Sequence, residues 1–160
     1  MVFHCTAPGK KSRVTLALFA IILAVLALDV YIFASFGGVP AGAYYLFGAV
    51  IVIAFWAAYA MWSMRFEASP DGISAYFFPF TYLIPAKEIS SVQCWEKVPW
   101  WRGLGLRVGW GSLWFVSAHA KTVKIEKRSG FFRTIFLTPE HPEKFVECAQ
   151  RALRISRASN

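Results

Sequence analysis

The sequence predicts a membrane α-helical hairpin followed by a mainly β domain that a C-terminal amphipathic helix closes. Three observations predict it. Hydrophobic residues make up 57% of the 160 residues and charged residues only 16%, against about 25% charged in a soluble domain. That charge deficit is local, because Asp29 is the only formal charge between Val14 and Met64. Beyond Arg65 the pattern becomes short β-branched and aromatic runs separated by turns, and helical periodicity returns only near the end.

Residues 1–13 form a basic tail carrying Lys10, Lys11 and Arg13. Val14–Phe36 is an almost unbroken apolar run of 23 residues, and about 20 suffice to cross the hydrocarbon core. A cleaved signal peptide is the competing reading, but its apolar region runs only about 7–15 residues. Ala43–Met64 is the second expected span, with Tyr44 and Tyr45 at one end and Tyr59 and Trp62 toward the other. Aromatic belts of that kind mark the two interfaces of a bilayer. The link Gly37-Gly38-Val39-Pro40-Ala41-Gly42 is turn-forming and carries no Lys or Arg. The basic flanks therefore place both termini in the cytoplasm, on a multi-pass protein of the cell (inner or plasma) membrane. Ala17, Ala20, Ala24 and Ala27 in one span, and Ala54, Ala57 and Ala58 in the other, give small-residue faces. Such faces pack the hairpin on itself or dock another subunit. Asp29 is the intramembrane candidate, since an ionisable group in a span is costly and marks a contact by default.

Residues 65–160 are expected to be the cytoplasmic domain. Ser69-Pro70-Asp71-Gly72 is a strong turn signal between Arg65–Ala68 and the strand Ile73–Phe78. Ala86-Lys87-Glu88-Ile89 reads as a short helical or turn segment before the strand Ser90–Lys97. Val98–Gly111, rich in Trp and Gly, reads as a loop with extended edges, and Ser112–Ser117, Thr122–Lys127 and Phe131–Leu137 as strands. Thr138 is a candidate N-cap with Pro139 at the first helical position. Phe145, Ala149, Ala152 and Leu153 make one apolar stripe, widened by Val146 and Cys148.

This order of elements resembles the bacterial pleckstrin-homology-like (PH-like) domain family, whose small members often follow a two-span hairpin. Four stretches of 65–155 carry the resemblance: Phe66 with Asp71-Gly72-Ile73; Ile84-Pro85 with Glu88-Ile89-Ser90-Ser91-Val92; Arg102-Gly103-Leu104-Gly105-Leu106-Arg107; and Val123–Gly130 followed by Thr138-Pro139 and Phe145. Ala86 stands where the family often has Trp. The resemblance implies a PH-like barrel or sandwich and an anchored position, and it implies no defined ligand, because fold does not fix function.

Four groups bear on function. Gly103-Leu104-Gly105 between Arg102 and Arg107 reads either as a β-bulge and tight turn or as a clamp for an anion. No helix start follows it, so it is not a dinucleotide fingerprint. Trp100 and Trp101, beside Pro99 and Arg102, cannot both point inward from a strand, which leaves core, lipid-interface and partner roles open. Lys121, Lys124, Lys127, Arg128 and Arg133 line the last hairpin; Thr122, Lys124, Glu126 and Arg128 share the face opposite Val123 and Ile125, with Lys121 and Lys127 at the strand ends. That alternation describes a solvated face or a surface for anionic lipid. His4, His119 and His141 lack ligand spacing, so no metal or other cofactor is expected. Cys5, Cys94 and Cys148 form no CxxC and read as free thiols.

The formal net charge of +8 is scattered among acids, which argues against nucleic acid. No nucleophile motif argues for an enzyme. The expected function is a non-catalytic, membrane-anchored adaptor or scaffold that contacts membrane lipids and binds a protein partner or a second copy of itself. An anionic-lipid sensor and an accessory subunit of a transporter or membrane enzyme are the alternatives.

Overall fold

A computed structural model describes residues 4–11, 13–36, 41–98 and 104–158. The chain forms two compact units, residues 12–60 and residues 1–11 with 61–160.

The first unit holds α1 (Arg13–Phe36) and α2 (Ala41–Trp62). Phe33 and Phe47 bring the two helices into ring contact at 5.5 Å. The alanine stripe of α1 (Ala17, Ala20, Ala24 and Ala27) is exposed and does not pack the pair together. Asp29 is half-buried in the middle of this helix.

The expected two-span hairpin is corrected here. Among the described residues one helix, Tyr44–Trp62, is long and apolar enough to cross a bilayer. The stretch of α1 whose side chains are described, Phe19–Ser35, does not meet that length.

The second unit begins earlier than the sequence suggests. Cys5–Pro8 forms β1 and pairs antiparallel with β2 (Arg65–Ser69) in the register Cys5↔Ala68 to Pro8↔Arg65. The Gly9 N–H donates to the Met64 carbonyl at 2.9 Å, so the two ends of the helical excursion are stitched together at one sheet edge. β3 (Gly72–Phe77) and β4 (Phe80–Pro85) complete a four-stranded sheet in the order β1-β2-β3-β4. Gly72 makes the β2–β3 turn possible. Its φ is +152°, and a Cβ there would run into the Ile84 carbonyl oxygen.

A 3-10 turn at Ala86–Glu88 leads into the second sheet. Its strands are β5 (Ile89–Lys97), β6 (Gly105–Gly109), β7 (Ser112–Val116), β8 (Lys121–Lys127) and β9 (Thr134–Leu137), in the order β5-β8-β9-β7-β6. β9 lies parallel to β7, from Ser112↔Thr134 to Phe115↔Leu137. The expected PH-like barrel or sandwich is therefore corrected to two open sheets with nine strands among the described residues. Two features cause the difference. The segment read as a loop supplies β6, and the return strand inserts between β8 and β7 instead of continuing a meander.

Thr138 explains the parallel insertion and is not the N-cap it resembles in sequence. Buried at the end of β9, its Oγ1 accepts from the Ser117 N–H at 2.8 Å and donates to the Phe115 carbonyl at 3.1 Å. Both are backbone groups of β7 and the residue that follows it, so one hydroxyl joins the ends of the parallel pair. Pro139 bridges to Gly9.

The C-terminal helix α3 starts later, at Pro142, and runs to Ala158. It buries Phe145, Val146, Ala149, Ala152 and Leu153. With Phe66, Ile73, Ile84, Ile125, Ile135 and Leu137, the side chains of Phe145, Val146, Ala149 and Leu153 form one core shared by both sheets and the helix. The Gln150 amide donates to the Val92 carbonyl at 3.1 Å and ties α3 to β5.

Cys5 of β1 and Cys148 of α3 form a disulfide, with their Cα atoms 6.5 Å apart. The reading of three free thiols is corrected to one, the exposed Cys94. A pairing 143 residues apart leaves no local trace in the sequence.

Candidate interaction edge

The second sheet can be followed row by row across its strands. On the inner face, Val92, Ile125, Ile135 and Leu113 lie side by side on β5, β8, β9 and β7, and the row ends on Val108 of β6. The neighbouring row runs through Val123, Leu137 and Phe115 to Leu106. Every member of these rows from β7 to β8 is buried. At β6 the cover stops: Leu106 is 37% and Val108 67% exposed. The core's apolar face thus continues onto an open edge strand, which pairs on one side with β7 and has no strand on the other among the described residues.

The flanks of this edge are apolar as well. β6 and β7 are joined by Trp110-Gly111, with Gly111 in the left-handed region at φ +66°. That tight turn projects Trp110 fully into solvent, and Phe131 is 81% exposed. The Arg133 N–H donates to the Gly111 carbonyl at 2.9 Å, so the Phe131 segment is fastened to the β6–β7 turn. Isolated exposed apolar residues are ordinary, but several gathered at an unpaired strand edge mark an interaction surface.

The outer face of the same sheet carries two of the described candidates, Arg107 and Lys124. Arg107, Trp114, Phe136, Lys124 and Gln93 form one cross-strand row. Trp114 stacks on Phe136 at 3.6 Å and donates its indole N–H to Ser112 Oγ at 3.0 Å. Arg107, Val108, Gly109, Trp114 and Val116 line a small hollow of about 160 Å³ beside the edge.

The lysines predicted for the last hairpin are all held by acids. Lys121 pairs with Glu143 at 3.1 Å, Lys124 with Glu126 at 2.7 Å and Lys127 with Glu88 at 2.9 Å. Lys124 also lies over the Trp95 ring at 4.5 Å. Lys127, its side chain only 8% exposed, further donates to the Tyr82 hydroxyl. Burial opposes the Lys127 ammonium, but the bonds to Glu88 and Tyr82 outweigh it and leave its pKa raised. Glu126 is held below the ordinary carboxylate range by Lys124 and then Ser91. Of these pairs, Lys127–Glu88 lies within the domain and Lys121–Glu143 at its exposed surface. Arg107 and Arg128 form no salt bridge among the described residues. Arg107 lies on the β6 edge; Arg128 lies elsewhere, beyond the end of β8. Trp100, Trp101 and Arg102 lie outside the described residues.

His119 and His141, distant in sequence, line one hollow with Glu140 and Glu143. No group of three ligands with metal-holding geometry occurs among the described residues.

Sequence reasoning named Arg107 but missed Leu106, Val108 and Phe131. The available signal was the Gly109-Trp110-Gly111-Ser112 turn, which implies a strand on each side of it. Compared with known proteins, the chain matches no family model, no curated protein and no solved structure.

Proposed function

We propose that this chain is a non-catalytic, membrane-anchored adaptor that recruits a protein partner by strand addition at the β6 edge. The observation that carries the reading is the continuation of two buried apolar rows onto uncovered Leu106 and Val108. An extended segment laid along β6 would satisfy its open backbone groups and cover those side chains, which is how strand addition combines affinity with specificity. Trp110 and Phe131 supply large apolar anchors at one end of the strand.

The helical unit supplies the anchor through α2, whose Tyr44–Trp62 stretch has the length and composition for it. Lys10, Lys11 and Arg65 are cations of the β-sheet unit. Lys11 lies 3.9 Å over the Trp62 ring and Arg65 4.6 Å over Tyr76. Cations mixed with interfacial aromatics favour the cytoplasmic headgroup region, and the β domain is assigned to that face.

The test places a photo-crosslinking amino acid at Val108 in the full-length protein in native membranes, with a second one at the exposed Glu147 of α3. A discrete adduct to another protein from position 108 but not from 147 is the expected result. Val108→Lys, which charges the edge, should reduce co-purification of that protein at least tenfold. An adduct only to a second copy would replace the partner reading with self-association. Absence of any adduct specific to position 108 would refute the edge as the interaction site.

A further inference from the structure

We infer that the carboxyl-terminal end of α3 forms, with the 3-10 turn and the end of β8, a binding groove for a ligand bearing clustered phosphates. This goes beyond the adaptor reading and uses a different part of the β domain. Two hollows lie side by side there. One of about 300 Å³ is lined by Lys87 and Arg128 together with Arg157. The other, of about 320 Å³, is lined by Ser90, Ser91, Arg154 and again Arg157. Leu153 floors both, so Arg157 stands between two adjoining compartments.

The charge balance makes the groove selective. Four cations border it, and among the described residues no carboxylate lines either hollow. The two acids nearest in sequence, Glu88 and Glu126, are occupied by Lys127 and Lys124. The end of a helix carries about half a negative charge, so one arginine there answers the dipole and the remaining cations are in surplus. Arginine forks bind phosphate oxygens in pairs, and the Ser90 hydroxyl adds a neutral donor, while the Ser91 hydroxyl is donated to Glu126 at 2.9 Å.

The walls are also held in place without a ligand. Arg128 donates its backbone N–H to the Glu88 carbonyl at 2.8 Å, and Gln150 fastens α3 to Val92. The groove therefore needs little ordering to bind. Two compartments astride one arginine suit two phosphates better than one. A soluble diphosphate compound and an anionic phospholipid headgroup share that chemistry.

The experiment uses the full-length protein in nanodiscs of phosphatidylcholine alone. Inorganic pyrophosphate is titrated by calorimetry, and hydrogen exchange of residues 150–158 is recorded with and without it. A parallel sample replaces part of the lipid with phosphatidylglycerol. The Arg154→Gln/Arg157→Gln variant is compared with Lys144→Gln/Arg151→Gln, which removes equal charge from α3 outside both hollows. Lys87→Gln, on the opposite wall, serves if the double variant does not fold. Pyrophosphate binding that falls about tenfold for each groove arginine removed, and holds in the control variant, identifies a soluble phosphorylated ligand. Protection of residues 150–158 by phosphatidylglycerol alone, lost in the groove variant, identifies a lipid headgroup. Absence of both effects, or equal loss in the control variant, overturns the groove.

Discussion

Replacing Thr138 by Val tests whether one buried hydroxyl organises the parallel pair of strands. The side chain is fully buried, and Val preserves its shape while removing its hydrogen-bonding atom. Two backbone groups then lose their partner: the Ser117 N–H, donated to Oγ1 at 2.8 Å, and the Phe115 carbonyl, which accepts from Oγ1 at 3.1 Å. Ser117 Oγ keeps its bond to the Thr138 carbonyl and is not stranded. Each orphaned buried group costs about 1–3 kcal/mol. The gain from a more apolar side chain offsets part of this, leaving a net loss of about 3 kcal/mol. For a domain of this size that corresponds to a fall in Tm of about 12 °C, at about 4 °C per kcal/mol. The assay is thermal unfolding of the full-length protein in mild detergent, followed by tryptophan fluorescence, with Thr138→Ser alongside. Serine keeps the hydroxyl and loses only a methyl group, so it should cost about 1 kcal/mol. If Val is as stable as wild type, or Ser is the worse of the two, the hydroxyl is not what joins the strands.

Three further outcomes follow from particular contacts. Gly72→Ala should destabilise the β domain by about 3 kcal/mol, because it combines an unfavourable φ with a collision at the Ile84 carbonyl; chemical unfolding measures it, and a change under 1 kcal/mol would be inconsistent with that turn. Phe145→Ala should cost about 3–5 kcal/mol, since Phe145 fills the core and meets Phe66 edge-on at 6.4 Å. Acid should erode stability through Glu126 and Glu143. Both carboxyls are held low, Glu126 first by Lys124 and Glu143 first by a backbone hydrogen bond. Their contribution is present above the ordinary carboxylate pKa of about 4.3 and disappears as pH falls through the lowered values. Melting curves between neutral pH and pH 3 should therefore show a shallower acid limb for Glu126→Gln/Glu143→Gln than for wild type.

What could be read in the sequence was whatever depends on local periodicity. The alternation around Val123 and Ile125 identified the inner face of β8, and the Phe145–Leu153 stripe identified the face α3 buries. The features that eluded sequence reasoning depend on distant partners. β1 is four residues whose partner β2 begins at Arg65, so it reads as a tail. Thr138-Pro139-Glu140 has the composition of a helix start, and only the arrival of Ser117 makes Thr138 a hub. β6 was hidden because Gly105, Gly109 and Gly111 interrupt any alternation among its neighbours. Its exposed side chains were hidden for the same reason: once the segment reads as a loop, nothing assigns Leu106 and Val108 to the inner face. The lysines of the last hairpin read as free because two of their three acids, Glu88 and Glu143, come from other elements.

The cysteines provide an independent test of which side of the membrane the β domain occupies. The flanking cations Lys10, Lys11 and Arg65 are the ground for the proposed cytoplasmic face, whereas structural disulfides persist mainly in oxidising compartments. The Cys5–Cys148 bond closes a separation of 143 residues. In the chain-entropy treatment a loop that long stabilises by at most about 5 kcal/mol. Reduction should not dismantle the fold, because β1 keeps its pairing with β2 and the Gly9–Met64 bond, and α3 keeps its buried stripe. The cytoplasmic assignment therefore predicts a folded, reduced protein in growing cells. Rapid acid quenching, followed by denaturation and alkylation with a mass-tagged maleimide, reads this directly. Cys94, the free thiol, supplies an internal reference of one tag in either state. Three tags place the domain in a reducing compartment, in agreement with the flanking cations. One tag means that the bond is formed in the cell. In that case the β domain faces outward, the partner must be sought there, and the flanking cations have a role other than orientation.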